Sequence, residues 1–209
     1  MAIARYTEPQ GLVVDLGCGA GSTLVEAIRA DRLAIGVERN SRLAREAREA
    51  VVSATAHGGP GFAAVVVGEL ADVPELVGPD SLGKVSLVLI DLARAGVLGT
   101  HGRPDASGVL DRFSEALHAA RGLLRADGHV VITARERDRV CWSLADLLSE
   151  LGVGLDFRVV ESDDDAARGS FCRVRCAAAG RTDVVVLKLA SSAESAEPAT
   201  RHESAGVGS

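Results

Sequence analysis

The sequence lacks an apolar run long enough to cross a bilayer, a signal peptide, and an excess of positive charge. The first two absences lead us to expect a cytoplasmic protein with no membrane partner. The formal net charge of −6 excludes a basic field over the whole surface, of the kind that holds nucleic acid. A local basic patch is still compatible with the sequence, because Arg135, Arg137 and Arg139 follow a predicted strand. A solvated loop is the alternative.

Metal-ligand patterns are also missing. The four cysteines, Cys18, Cys141, Cys172 and Cys176, are scattered along the chain, and no set of histidines lies near them. Structural zinc sites need clustered cysteines and histidines, so we predict no metal site. Buried free thiols in a reducing cytoplasm are the expected state.

The most informative feature is a glycine-rich turn between a buried strand and a helix. An apolar run ends at Asp15, and Gly17, Gly19 and Gly21 follow before an amphipathic segment begins. Glycines permit a sharp turn and a close approach of ligand to backbone, while the free N–H groups of the helix start face that ligand. Glu38 stands at the predicted tip of the next strand, where a carboxylate can accept both hydroxyl hydrogens of a ribose. The pattern predicts a nucleoside site; an ordinary tight turn is the alternative.

The kind of nucleoside is indicated by the residues of the turn. They run Asp-Leu-Gly-Cys-Gly-Ala-Gly, and Ser22 stands where a dinucleotide-binding turn needs its third glycine. This motif resembles that of class I S-adenosylmethionine-dependent methyltransferases. The resemblance implies S-adenosylmethionine as the cofactor, with Asp15 placing its methionine end and Glu38 binding its ribose. It also implies that Glu69, after the third predicted strand, reaches the adenine.

Strand and helix signals alternate along the chain, which favours an α/β fold. Length and an apolar content of 47% suit one domain, placed at residues 1–190, with a disordered tail over 191–209. We predict a single Rossmann-like, doubly wound, mostly parallel sheet with an antiparallel C-terminal edge. The predicted strands are Leu12–Leu16, Ala34–Glu38, Ala63–Val67, Val85–Asp91, His129–Thr133, Phe157–Val160, Phe171–Cys176 and Asp183–Leu189. The predicted helices are Met1–Tyr6, Ser22–Ala30, Ser41–Ala54, Leu110–Leu124 and Val140–Leu151.

Three connections carry their own signals. Asp127-Gly128 is typical of a helix C-terminus and is expected to stop the helix before the fifth strand. Gly180-Arg181-Thr182 is expected at the turn between the last two strands. Residues 162–169, with three consecutive aspartates, are expected to form an exposed acidic loop.

Most of the chain, from about Ala4 to Ala190, resembles the DNA-methylase-like and tRNA guanine amino-methyltransferase-like proteins of the exocyclic-amino group. The matching segments are Tyr6–Gly11, Gly19–Ala27, Ala34–Glu38, Gly99–Gly102 and Gly128–Thr133. That group carries an Asp-Pro-Pro-Tyr motif after the fourth strand. The polar residue of the motif accepts a hydrogen bond from the target amino group, and its aromatic ring stacks on the extruded base.

Asp91 matches the polar position of that motif, and the resemblance makes it the candidate catalytic residue. Leu92 and Ala93 replace both prolines, and Arg94 replaces the ring, although a guanidinium plane can also stack. A strand-end carboxylate with a solvent or backbone partner is the alternative for Asp91. His101, between glycines, is a second candidate proton acceptor; a surface histidine is the alternative.

The sequence supports three functions. The first is a methyltransferase that uses S-adenosylmethionine and acts on amino groups of DNA or tRNA, a partner class inferred from loop similarity alone. The second is a degenerate, non-catalytic cofactor-binding or regulatory module, which the altered motif after Asp91 favours. The third is a small-molecule methyltransferase, which the acidic charge permits. A nicotinamide-dependent oxidoreductase is disfavoured by Asp15 and Ser22. The acceptor and the oligomeric state do not follow from the sequence.

Overall fold

Eight strands form one sheet in the computed structural model, which describes residues 2–95, 106–135, 157–159, 172–176 and 180–189. The strands are β1 (Leu12–Leu16), β2 (Leu33–Glu38), β3 (Phe62–Val67), β4 (Val85–Asp91), β5 (Leu124–Arg135), β6 (Phe157–Val159), β7 (Cys172–Cys176) and β8 (Gly180–Leu189). The α-helices are α1 (Ala2–Tyr6), α2 (Ser22–Arg29), α3 (Ser41–Ala56), α4 (Val73–Val77) and α5 (Ala106–Leu123). Single 3-10 turns cover Leu70–Asp72 and Pro79–Ser81.

The strand order is β3-β2-β1-β4-β5-β8-β6, and β7 also pairs with β8. Neighbouring strands among the first five run parallel, while β8 is antiparallel to β5, β6 and β7. The order changes direction at β1, so the ends of β1 and β4 border the crevice where ligands bind in sheets of this kind. The predicted mostly parallel sheet with an antiparallel C-terminal edge is confirmed.

Apolar residues on both faces of the sheet place one helical layer on each side. One buried cluster joins α1, α2 and α3 to the sheet through Ile3, Leu24 and Ala47. The other joins α4 and α5 through Val73 and Phe113. Within α2 the buried positions are Leu24, Ala27 and Ile28, the spacing that puts side chains on one helix face.

Two predicted turns are wrong. Asp127 and Gly128 lie inside β5, because α5 ends at Leu123 and the strand begins at the next residue. Gly128 is needed there for space: a Cβ would come within 2.8 Å of the Val85 carbonyl oxygen, where the β4–β5 register shifts. Residues 180–182 belong to β8 and pair with β7, so the connection between those strands precedes Gly180.

The short helix α4 was not predicted, since its five residues are too few to show a helical period. Other predictions fall outside the described residues. These are the helix over 140–151, the acidic loop 162–169, the tail 191–209, the loop 99–102 with His101, and Cys141, Arg137 and Arg139. Arg135 ends β5, and its side chain is outside the described set.

In the described ranges, no helix is both long and apolar enough to cross a membrane. The same ranges contain no group of three or more histidine, cysteine, aspartate or glutamate side chains that could hold a metal ion.

Candidate functional site

The glycine-rich turn joins β1 to α2 at the edge of the sheet where the topology predicts a ligand-binding crevice. Gly17, Gly19 and Gly21 have φ angles of +84°, +58° and +83°, a region that side chains with a Cβ rarely adopt. Gly17 is also restricted by space, since a Cβ would lie 2.4 Å from the Ala95 backbone nitrogen. The turn therefore packs directly against the loop that follows β4, and these two segments border the crevice.

Glu38 ends β2 and is buried beneath the turn, with 3% of its surface exposed. Its Oε2 accepts a hydrogen bond from the Gly19 N–H at 2.9 Å, and its Oε1 accepts one from the Asn40 N–H at 2.8 Å. Asn40 in turn caps α3 with its side chain. A carboxylate offers about four lone-pair sites, so Glu38 can still accept hydrogens from a ligand.

Asp15 lies near the end of β1, on the floor of the crevice, with 4% of its surface exposed. The pKa of its carboxyl is raised from 3.8 to about 6, mainly because of burial and to a smaller extent because of the nearby carboxylates of Asp91 and Glu38. A hydrogen bond with the Thr23 side chain and the positive charge of Arg94 act in the opposite direction on this pKa. A buried carboxylate in this environment is a favourable neighbour for a positively charged ligand group.

Asp91 ends β4 and holds the loop behind it. Its Oδ1 accepts hydrogen bonds from the Ala93 and Arg94 N–H groups, both at 3.2 Å. Its Oδ2 lies 3.9 Å from Arg94 Nε, and 15% of the Asp91 side chain is exposed. Asp91 thus has hydrogen-bond partners in the backbone, as expected in the alternative to a catalytic role. Its negative charge also contributes to the raised pKa of Asp15.

Arg94 reaches back over the glycine-rich turn. Its Cδ and Nη1 atoms both lie 3.6 Å from the point where a Cβ on Gly19 would stand. The side chain remains 41% exposed. The residue that replaces the aromatic ring of the resembled motif therefore lies beside the predicted cofactor turn.

Glu69 follows β3 by two residues and starts the 3-10 turn Leu70–Asp72. Because Val67 pairs with Glu38, Glu69 lies at the same edge of the sheet as Glu38. Its side chain is exposed and does not cap the turn. The structure therefore places the carboxylates of Glu38 and Asp91 close enough to Asp15 to act on its pKa, and it puts Glu69 at the edge of the sheet where Glu38 lies.

Cys18 is a packing residue of the turn. It is fully buried, and a Cβ on Gly36 would lie 2.7 Å from its Sγ. Burial raises the pKa of its thiol to about 12, with added contributions from Asp15 and Glu38. The thiol is neutral at pH 7 and therefore a poor nucleophile.

Sequence reasoning missed Thr23 as part of the site. The Thr23 side chain acts to lower the pKa of Asp15, and it lines a cavity of about 260 Å³, together with Ala2, Ile3, Ser22, Glu26 and Leu89. Leu89 is the β4 register partner of Asp15, so the cavity adjoins the floor of the crevice. The sequence signal that could have identified Thr23 is a hydroxyl side chain in the first turn of the helix that follows the glycines.

No protein-family model matches the sequence, and no curated protein matches it significantly. Solved structures do match its backbone. TrmN from Thermus thermophilus aligns with a TM-score of 0.58 and 17% identity over 87% of this chain and 44% of that one. Magnesium protoporphyrin IX methyltransferase (ChlM) from Synechocystis, crystallised with bound S-adenosylmethionine, aligns with a TM-score of 0.58 and 17% identity over 88% and 71%.

A S-adenosylmethionine-dependent methyltransferase from Methanosarcina mazei aligns with a TM-score of 0.57 and 12% identity over 91% of this chain and 98% of that one. The chain spans less than half the length of TrmN and nearly all of the Methanosarcina protein. The Methanosarcina protein is named as an S-adenosylmethionine-dependent methyltransferase, and ChlM as a methyltransferase with bound S-adenosylmethionine. At these identities the similarity establishes the fold, which is the class I methyltransferase fold.

Proposed function

We propose that the chain binds S-adenosylmethionine in the crevice between the glycine-rich turn and the loop after β4, and acts as a methyltransferase. The observation that carries the proposal is Glu38, a buried carboxylate hydrogen-bonded to Gly19 at the tip of β2. This arrangement offers a ribose an acceptor directly beside a backbone that a ligand can approach closely.

The chemistry of the crevice fits that cofactor. S-adenosylmethionine carries an activated methyl group on a sulfonium centre and presents a ribose, an adenine and an amino-acid end. Glu38 would accept the ribose hydroxyl hydrogens, and Glu69 at the rim would face the adenine. The buried charge of Asp15 would hold the positively charged methionine end. At Gly19 the absence of a side chain leaves the backbone of the turn open to close approach by a ligand.

The proposed acceptor is an exocyclic amino nitrogen, with Asp91 as the group that would accept a hydrogen bond from it. Support for this comes from the position of Asp91 at the end of β4, on the crevice. Transfer would depend mainly on holding the acceptor in line with the methyl group. DNA and tRNA are the proposed sources of the amino group, and the cytoplasm is the proposed site of action.

One observation favours a second function, a cofactor-binding module without turnover on nucleic acid. Arg94 lies against Gly19, where the resembled motif would have an aromatic ring for stacking. Without that ring, capture of an extruded base loses roughly 1–3 kcal/mol. The net charge of −6 adds a repulsion toward phosphates that a small acceptor would not experience.

Calorimetry with S-adenosylmethionine, S-adenosylhomocysteine and NAD tests the cofactor proposal. Both adenosyl ligands should bind, and NAD should not, because three carboxylates around the crevice repel a pyrophosphate. Preferential binding of NAD, or no binding at all, would overturn the proposal.

Transfer of radiolabelled methyl groups to DNA, to tRNA and to a pool of small metabolites tests the acceptor. We expect weak labelling of nucleic acid, because the stacking ring is missing. Strong labelling of DNA or tRNA would contradict the non-catalytic alternative. Labelling confined to the metabolite pool would assign the chain to small-molecule acceptors.

A further inference from the structure

The Arg94 side chain is held over the cofactor turn by the backbone of its own loop. Asp91 fixes the loop by accepting hydrogen bonds from the Ala93 and Arg94 N–H groups. Gly17 fixes it from the other side, because a Cβ there would lie 2.6 Å from the Arg94 carbonyl carbon. The direction in which Arg94 leaves the backbone is therefore set by two packed segments.

The guanidinium has capacity for another acceptor. Its pairing with Asp91 spans 3.9 Å through Nε, which is longer than a hydrogen bond. A guanidinium carries five N–H donors in a planar fork that matches a carboxylate. With 41% of its surface exposed, the Arg94 side chain is accessible to a ligand that enters the crevice.

The charges around Arg94 select the kind of anion. The carboxylates of Asp15, Glu38 and Asp91 act on the same small region in which Arg94 supplies a positive charge. A phosphate or pyrophosphate would be repelled by three carboxylates. A group that carries both an ammonium and one carboxylate is accommodated, since Asp15 faces the ammonium and Arg94 faces the carboxylate.

We propose that Arg94 binds the amino-acid carboxylate of the cofactor, and so recognises the methionine end of the ligand rather than stacking on a base. This inference rests on the proposed function, because the cofactor brings that carboxylate into the crevice. Arg94 is then a cofactor-binding residue. Its positive charge stands at the position where the resembled motif has an aromatic ring.

The test compares two ligands that differ in the amino-acid portion. S-adenosylhomocysteine has the carboxylate, whereas 5′-methylthioadenosine keeps the adenosine and the sulfur and lacks the amino acid. Calorimetry of Arg94→Ala should show a loss of roughly 10- to 100-fold in affinity for S-adenosylhomocysteine, the range for a hydrogen bond to a charged group. Affinity for methylthioadenosine should stay within about twofold. Arg94→Lys should lie between, because it keeps the charge without the planar fork.

Two further variants make the result specific. Glu38→Gln should weaken both ligands, since both carry the ribose. Arg45→Ala, an exposed arginine on α3 paired with Glu49, should weaken neither. Equal losses for both ligands in Arg94→Ala would overturn the assignment. A gain for both would also overturn it, and would show that Arg94 covers the turn and obstructs the ligand. Failure of the unsubstituted chain to bind either ligand would overturn the proposed function, and this inference with it.

Discussion

The Glu38 carboxylate accepts a hydrogen bond from the Gly19 N–H at 2.9 Å, and this bond joins the tip of β2 to the turn after β1. One carboxylate thereby does two things. It satisfies a backbone donor in a left-handed turn, and it presents its other lone pairs to the crevice. The residue proposed to bind the ribose is also a structural support of the surface on which the ligand lies.

The first prediction concerns this double role. Glu38→Ala should weaken S-adenosylhomocysteine binding by about 1–3 kcal/mol, the scale for losing hydrogen bonds to a charged group. It should also lower the free energy of unfolding by a similar amount, roughly 1–3 kcal/mol, because the Gly19 and Asn40 N–H groups lose their acceptor. Calorimetry and urea unfolding measure the two effects. Unchanged affinity in Glu38→Ala would remove the ribose assignment.

The second prediction follows from the raised pKa of Asp15, about 6 against an ordinary 3.8. The unfolded chain loses this proton more readily than the folded one, so ionised Asp15 disfavours folding above pH 6. This cost is fully present above pH 6, declines as the pH falls from 6 to 3.8, and is absent below 3.8. Asp15→Asn should therefore raise the free energy of unfolding at pH 7.5 by roughly 1–3 kcal/mol.

The same variant should bind the cofactor less well, because the negative charge that faces the methionine end is gone. Urea unfolding of both proteins at pH 7.5 and pH 5 gives the comparison. The stability gap should narrow at pH 5, where Asp15 is mostly protonated. A gap that is identical at the two pH values would show that its cause is packing rather than ionisation.

The conformation of the glycine-rich turn and the position of Glu38 beside it were predictable because their determinants are local. The turn itself requires positive φ angles at Gly17, Gly19 and Gly21. The parallel pairing of β1 with β2 brings Glu38 to the edge of the sheet where this turn lies. The loop after β4 was harder to predict. Its path depends on Asp91 bonding its own backbone and on Ala95 packing against Gly17, neither of which leaves a periodic signal.

Two errors show how tertiary packing overrides local preference. Gly128 after an aspartate is a normal signal for a helix end, yet here the glycine lies where β5 passes the Val85 carbonyl too closely for a Cβ. The residues around Gly180 have turn composition, yet they extend β8 because β7 offers them pairing partners. In both cases pairing between strands outweighs a preference of a few residues.

The third prediction concerns the tail over residues 191–209. Its composition, rich in serine, alanine, glutamate and glycine, offers too little apolar surface to offset the entropy of ordering it. A chain that ends at Ala190 should keep its thermal midpoint and its affinity for S-adenosylhomocysteine. Scanning calorimetry and titration of both forms provide the comparison. A large decrease in either quantity would mean that the tail packs on the domain.

The fourth prediction separates two roles of Asp91. Its Oδ1 accepts both loop N–H groups, and an asparagine would keep an acceptor oxygen at that position. Asp91→Asn should therefore retain most of the affinity for S-adenosylhomocysteine. Asp91→Ala should lose roughly 1–2 kcal/mol of it, because the loop that aims Arg94 is released. Affinity for methylthioadenosine should change little in either variant, since that ligand has no carboxylate for Arg94.

Calorimetry with both ligands, repeated on Arg94→Ala and on the double variant with Asp91→Ala, makes the dependence explicit. If Asp91 acts through Arg94, the two losses will not add, because either substitution removes the same contact. Additive losses would mean that Asp91 touches the ligand on its own. In that case the Asp91 carboxylate, and not Arg94, would be the group after β4 that contacts the ligand. Its role would then be tested in the methyl-transfer assay.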